Sequence, residues 1–312
     1  MRDTILTLTV NPAVDRIVSV DRLVFEDRAY ILSTSFAAGG RGINAARVLK
    51  SFGAKTLAIT TVGGDPGKQF EEELRQDGFP VEFVKIRNNI RMNLTISDRQ
   101  GLSVKLNEQG PSLSESEWTN IRKAVEKHLP NATWLMLCGS LPPGVPDDFY
   151  AKLIKRAAKQ NVKTFLDTDG NALLHGIEAE PNLVTPNQSE AERLLNRALI
   201  TRSHSIEAAR RIKAMGAQKV VLSLGSRGVM AANEDGVIEV IPPRIDAVCP
   251  IGAGDAMGAA FVWARAKGQT FEDSARWGVA AGTASAKLPG IQLANFEQSK
   301  EIYPQTQVHQ IV

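Results

Sequence analysis

From about Ser114 onward, short uninterrupted apolar runs alternate with segments of helical period, and this alternation narrows the possible folds more than any other feature. Ser114 and Glu117 have the spacing of a reciprocal helix cap, and Trp118, Ile121, Val125 and Leu129 then recur at helical intervals. Residues 134–137 are an apolar run ended by Gly139, as in a strand buried on both faces. Asp147 is placed to cap a helix carrying Phe149, Leu153, Ile154 and Ala157 along one side. Residues 162–166, 183–185 and 220–224 read as further short strands, and 206–215 as a helix between two of them. A β-then-α repeat predicts a three-layer α/β/α domain around a mainly parallel sheet. In such sheets ligands bind beyond the carboxyl ends of the strands.

The first hundred residues are patterned differently. Met92, Leu94 and Ile96 alternate with Asn93, Thr95 and Ser97; after a turn at 98–101, Leu102, Val104 and Leu106 alternate with Ser103, Lys105 and Asn107. This is a hairpin with one apolar and one polar face. A lone hairpin is marginal in water, so its apolar face needs a partner. Residues 16–20 can join it as a small accessory sheet. We expect one domain over 1–312, with a β lid from segments about 11–36 and 88–108, packed against the main domain or a second copy.

Bulk properties bound the function. With 43% hydrophobic residues among 312, a substantial core is available, and a net charge of +3 is too small to suggest a nucleic-acid surface. Cys138 and Cys249 fit neither a disulfide framework nor a zinc spacing, and read as buried thiols of a reducing compartment. No run of 18 apolar residues and no cleavable leader is visible, so the expected location is the cytoplasm, away from membranes. His128, His175, His204 and His309 have no metal or triad spacing.

Residues 250–260, PIGAGDAMGAA, carry the most chemistry. Small residues let backbone N–H groups approach an anion, and the apolar stretch that follows can be a helix with its N-terminus at that turn. A carboxylate there, Asp255, can take a hydroxyl proton while the amides steady a transferring phosphoryl group. An Asp that merely caps a helix after a glycine turn reads equally well from this segment alone.

The wider chain resembles the PfkB, or ribokinase-like, family of sugar kinases. The resemblance rests on Thr9-Val10-Asn11-Pro12-Ala13-Val14-Asp15, Gly39-Gly40-Arg41-Gly42-Ile43-Asn44, Asn107-Glu108-Gln109-Gly110-Pro111, Gly139-Ser140-Leu141-Pro142-Pro143-Gly144, Thr185-Pro186-Asn187-Gln188-Ser189-Glu190 and Gly252-Ala253-Gly254-Asp255, in that order. It is closest to the branch of 1-phosphofructokinases, tagatose-6-phosphate kinases and minor bacterial 6-phosphofructokinases. The resemblance implies Asp255 as base and Gly252, Ala253 and Gly254 as anion hole. It implies Asp15, Asn44 and Ser140 at the sugar, with Gly39, Gly40 and Arg41 beside it. Thr185, Asn187, Ser223, Gly225, Gly228 and Gly254 would lie near ATP, and Asn187 and Glu190 would position Mg²⁺ largely through water. It also implies a β lid that often forms homodimers. Two positions depart from the branch: Thr185 stands where Lys usually touches nucleotide phosphates, and Arg41 where Lys is common.

Other matches are weaker. Residues 40–45 fit a loose dinucleotide pattern, and 63–68 hold a Gly-Lys step that reads as a surface loop. Arg28, Arg91 and Lys105, with Asn93 on the polar hairpin face, suit a phosphorylated substrate. The expectation is an ATP-dependent kinase acting on a primary hydroxyl of a ketohexose phosphate, fructose 1-phosphate before the 6-phosphates of tagatose or fructose. A non-catalytic sugar-phosphate-binding regulator is the reading from another class.

Overall fold

Strand residues of the second half alternate between two separate cores, which is why their runs are apolar without interruption. Leu135 and Leu137 face one core while Trp134, Met136 and Cys138 face the other, and Leu166 and Phe165 divide the same way. The computed structural model describes residues 2–24, 26–290 and 292–311. The chain opens with β1 (Thr4–Thr9), β2 (Ala13–Val20), β3 (Ile31–Gly39), α1 (Arg41–Ser51), β4 (Thr56–Val62), α2 (Gly64–Gln76), β5 (Val81–Lys85), β6 (Arg91–Asp98) and β7 (Ser103–Asn107). It continues through α3 (Glu115–His128), β8 (Ala132–Cys138), α4 (Phe149–Ala158), β9 (Lys163–Asp167), α5 (Gly170–Glu178), β10 (Leu183–Val184), α6 (Gln188–Leu195) and α7 (Arg202–Ala214). It closes with β11 (Val220–Ser223), β12 (Val229–Ala232), β13 (Val237–Ile241), α8 (Ala253–Ala266), α9 (Phe271–Ala286), α10 (Phe296–Ile302) and β14 (Gln307–Ile311).

The main sheet has ten strands in the order β14-β13-β12-β11-β10-β9-β8-β1-β4-β5. From β5 to β11 the strands are parallel; β12, β13 and β14 add an antiparallel edge. One core packs α3, α4, α5 and α7 against the sheet, and the other packs α1, α8 and α9. The chain builds outward from β1 to β4 and β5, then returns to β8 on the other side of β1. That reversal opens a crevice at the carboxyl ends of β1 and β8, the place where such sheets bind ligands.

The second sheet, in the order β3-β2-β6-β7, is the expected lid, and β3 extends it to Gly39. Asp15 pairs with Asn93, and Asn93 with Asn107, so the polar residues share one face. Val14 and Ala38, on the other face, belong to the main core, while Phe36, Val104 and Leu106 farther out are exposed. Along this face Val14, Val18 and Val20 of the central strand β2 are buried, whereas Phe36, Val104 and Leu106 on the outer strands are exposed.

Three local expectations are corrected. Residues 63–68 are not a surface loop: Gly63 caps α2, and the Gly-Lys step forms its fourth and fifth residues. Asp147 is not the cap of α4. Asp148 holds that position, and Asp147 instead accepts from Asn171 Nδ2 at 2.9 Å, because the tight 142–149 turns start the helix one residue later. Cys138 is buried as expected, but Cys249, in the loop before the glycine turn, is only half-buried. The Ser114–Glu117 capping box forms as its spacing predicts.

Candidate active site

Two helices begin at the crevice, and neither N-terminus is capped by a side chain. Gly40 precedes α1 at φ 136°, and Gly252 precedes α8 at φ 78°. Left-handed backbone of this kind favours glycine. The first-turn amides of both helices stay available to an anion, reinforced by the helix dipoles. A Cβ at Gly254 would meet no heavy atom within 4 Å, so the backbone there borders open space. A Cβ at Gly252 would stand 2.7 Å from Leu293, so that glycine is required by packing as well as by its φ.

Asp255 lies in the first turn of α8. Its Oδ2 accepts from Asn44 Nδ2 at 2.7 Å. Asn44 is aimed in turn by Arg47, whose Nη1 reaches Asn44 Oδ1 at 3.4 Å and Ala38 O at 2.7 Å, while its Nε bonds Asp77 at 2.8 Å. Burial, with the nearby Asp167 charge adding to it, pushes the Asp255 carboxyl up to about 7; Asn44 and Arg41 oppose that shift. A carboxyl poised near neutrality can take up a hydroxyl proton at working pH.

At the lid root, Asp15 accepts from Asn93 Nδ2 at 2.8 Å. Burial raises its carboxyl from the ordinary range. A Cβ at Gly39 would fall 2.0 Å from Asp15 Oδ2, so only glycine leaves that carboxylate room. Arg91 starts β6 and donates to Glu108 O and Asn11 O, both at 3.0 Å. Its guanidinium thus ties the lid root together as well as facing the crevice. Asn11 Nδ2 bonds Gln109 O at 2.8 Å and Ser140 Oγ at 3.2 Å, bringing Ser140 to the same junction. Lys105 pairs with Thr95 on the Asp15 face, farther from the root.

Arg28 is not brought to this group. It lies exposed in the β2–β3 loop at the far end of the lid, near the end of β6, whereas Arg91 is at the start of β6. Seven strand steps separate those ends, about 23 Å at ~3.3 Å per residue. Sequence alternation placed Arg91 on a face but carried no information about which end of the sheet the loop would reach.

On the nucleotide side, Asn187 and Glu190 cap α6 reciprocally, each side chain meeting the other's backbone N–H at 2.9 Å. Ser223 lies beside Asn187 at the end of β11, and Gly225 and Gly228 follow at φ 63° and 88°. Thr185 is buried, and its Oγ1 has no hydrogen-bond partner. Arg41 does not point to the sugar end: it bonds Asp167 Oδ1 at 2.8 Å, Glu190 Oε1 at 3.1 Å and Asp169 Oδ2 at 3.4 Å. Sequence reading missed Asp167 and Asp169. Both follow the apolar run 162–166, and an Asp at the carboxyl end of a parallel strand was the available signal.

Known proteins resemble the chain over nearly its whole length. The model for the pfkB family of carbohydrate kinases matches residues 9–297. A 1-phosphofructokinase of Borreliella burgdorferi is 33% identical, with 98% of this chain and 99% of the relative covered. The ATP-dependent 6-phosphofructokinase isozyme 2 of Escherichia coli is 32% identical, covering 96% and 97%. The crystal structure of phosphofructokinase-2 from Escherichia coli in complex with potassium superposes with a TM-score of 0.91 at 31% identity, covering 97% of this chain and 99% of that one. The fold is ribokinase-like, as the motifs implied. The chain belongs to the pfkB family of carbohydrate kinases.

Proposed function

We propose that this sugar kinase transfers the γ-phosphoryl group of ATP to a primary hydroxyl of a ketohexose phosphate, with fructose 1-phosphate the favoured acceptor. The observation that carries the reading is Asp255, raised to about 7 and oriented by Asn44, in the uncapped first turn of α8. The acceptor oxygen forms the new bond to phosphorus as the bond to ADP breaks, and Asp255 takes the hydroxyl proton. The amides of the 252–254 turn face the equatorial oxygens of that phosphoryl group. Asp15, Asn44 and Asn93 supply sugar-hydroxyl partners, with Ser140 at the same junction. The Arg91 guanidinium and the Lys105 ammonium favour a substrate that carries its own phosphate. The names of the 1-phosphofructokinase and 6-phosphofructokinase relatives point to the same substrate class.

Asn187, Ser223, Gly225 and Gly228 would border the nucleotide. Asp167, Asp169 and Glu190 all bond Arg41, and among the described residues no three such groups are placed to hold a metal directly, so Asn187 and Glu190 would position Mg²⁺ largely through water. A bound Mg²⁺ would neutralise charge on the β- and γ-phosphates. The Asn187 side chain is itself engaged in capping α6.

The exposed Phe36, Val104 and Leu106 favour a homodimer formed lid to lid. Arg28, at the lid tip, could serve a sugar phosphate only from a second copy. ADP release with fructose 1-phosphate, fructose 6-phosphate, tagatose 6-phosphate, free fructose and ribose tests the substrate. Equal turnover of an uncharged sugar would overturn the phosphate reading. Phosphate-sugar binding with no turnover of any of them would favour the regulator.

A further inference from the structure

Asp77 stands where helix electrostatics does not favour it. It is the C-terminal cap of α2, and the helix dipole already places negative charge there. Cations from α1 offset its carboxylate and carbonyl: Arg47 Nε bonds Asp77 Oδ2 at 2.8 Å, and Lys50 Nζ donates to Asp77 O. The Arg47 and Asp77 side chains are 23% and 25% exposed, so the pair is held largely within the protein.

The far end of that guanidinium points toward the base. Arg47 Nη1 donates to Ala38 O of the lid strand β3 at 2.7 Å, and reaches Asn44 Oδ1 at 3.4 Å, one helical turn back on α1. The other end of the same amide, Asn44 Nδ2, donates to Asp255 Oδ2 at 2.7 Å. Among the described residues Asn44 is the one side chain that hydrogen-bonds this carboxylate. An amide has a donor end and an acceptor end. Turned over, Asn44 would set its oxygen against the carboxylate and its NH₂ group against the guanidinium. A cation on one side and an anion on the other therefore fix a single orientation. Ala38 also adjoins Gly39, whose missing side chain leaves room for Asp15, and the Arg47 charge reaches Asp15 as well.

We propose that Arg47 and Asp77 are positioning residues for phosphoryl transfer: Asp77 anchors Arg47, and Arg47 holds the Asn44 amide with its N–H on Asp255 while tying the lid strand β3 to the base. The inference rests on the reading of Asp255 as base and extends it to a pair that lies behind Asn44. Without Arg47 the amide is free to turn, its donation to Asp255 weakens, and the ionised carboxylate loses a stabilising hydrogen bond. The other charged or titratable groups facing Asp255 are Asp167 at the end of β9, Arg41 at the start of α1, Asp15 in β2 and the Cys138 thiol in β8. All of them stay in place when Arg47 is replaced.

The pH dependence of kcat/KM tests this on the intact chain, with the sugar phosphate turned over fastest among those named above. Arg47→Met should move the midpoint of the acid limb upward by about one pH unit, the size of losing one hydrogen bond to an ionised group. At pH 7 that shift lowers kcat/KM about fivefold, and the KM for ATP should not change. Arg47→Lys, which keeps a donor, should lie between Met and wild type. Arg47→Met leaves the Asp77 carboxylate unpaired at a helix C-terminus, so the double variant Arg47→Met/Asp77→Ala removes that charge and should show the same shift. Folded variants whose acid limb stays at the wild-type pH overturn the proposal and leave the pair a structural tie between α1 and α2. On an Asn44→Ala background, Arg47→Met should add no further shift. A further shift there means that the guanidinium acts on Asp255 or Asp15 directly, and also overturns the proposal. A wild-type profile without an acid limb near pH 7 sinks the base reading itself, and the inference with it.

Discussion

Asp255 has two measurable consequences. As the base, Asp255→Asn should lower turnover by roughly 10²–10⁴ while leaving nucleotide binding intact. Near-normal turnover would leave it a helix-capping residue. Its carboxyl is raised to about 7 in the folded chain, so the ionised, active form is lost as pH falls below 7. In wild type kcat/KM should therefore fall about tenfold per pH unit on the acid side of that value. The stability sign is opposite. Ionising a carboxyl whose folded pKa is raised destabilises the fold; the penalty is absent below the ordinary value of 3.8 and complete above about 7. Asp255→Asn removes that penalty, so its Tm should gain on wild type as pH rises through this window. A constant Tm difference from pH 4 to 8 would mean that Asp255 titrates normally.

At the scale of elements, the two glycines of the α8 turn should respond differently. Gly254 sits in the first turn with open space where a side chain would go, so Gly254→Ala should fold as well as wild type or slightly better. Its turnover should drop nonetheless, because the methyl group narrows the approach of the phosphoryl group to the amides. Gly252→Ala faces both φ 78° and Leu293, and should cost about 1–2 kcal/mol for the left-handed backbone alone. Thermal melts beside steady-state rates separate the two cases; equal loss of Tm in both variants would make the turn structural only. Helix and strand identities were largely legible in residue periodicity, as was the cap at Ser114, whereas Asn187 read only as a ligand position and not as the cap of α6. The start of α4 was not legible, because Asp147 and Asp148 are equivalent in propensity and only the turn geometry chooses between them.

The whole molecule presents a lid whose outer apolar face its own main domain does not cover. Leu106 is 55% exposed on β7, and Val104 and Phe36 lie on the same face of the lid sheet. Leu106→Asp should shift sedimentation from dimer toward monomer and raise the KM for the sugar phosphate, with little change in the KM for ATP. A wild-type chain that sediments as a monomer would remove the lid-to-lid interface. Among the described residues no helix is long and apolar enough to cross a membrane.

The sequence by itself determined the layered α/β architecture, because a strand buried on both faces must be apolar at every position and a covering helix must be apolar at every third or fourth. It also determined that a glycine turn opens a helix with Asp255 in its first turn, since few residue types accept that backbone, although the segment alone did not separate a base from a cap. Tertiary structure decided the rest. Asp167 and Asp169 join the site only because β9 ends at the crevice beside β8. Arg41 leaves the sugar end for the carboxylates only because the start of α1 faces β9 and α6, positions far apart in the chain. Arg28 falls away from Arg91 because antiparallel pairing sends its loop to the opposite end of the lid. Local pattern specifies which face a side chain takes, whereas only the assembled sheets specify which charges meet.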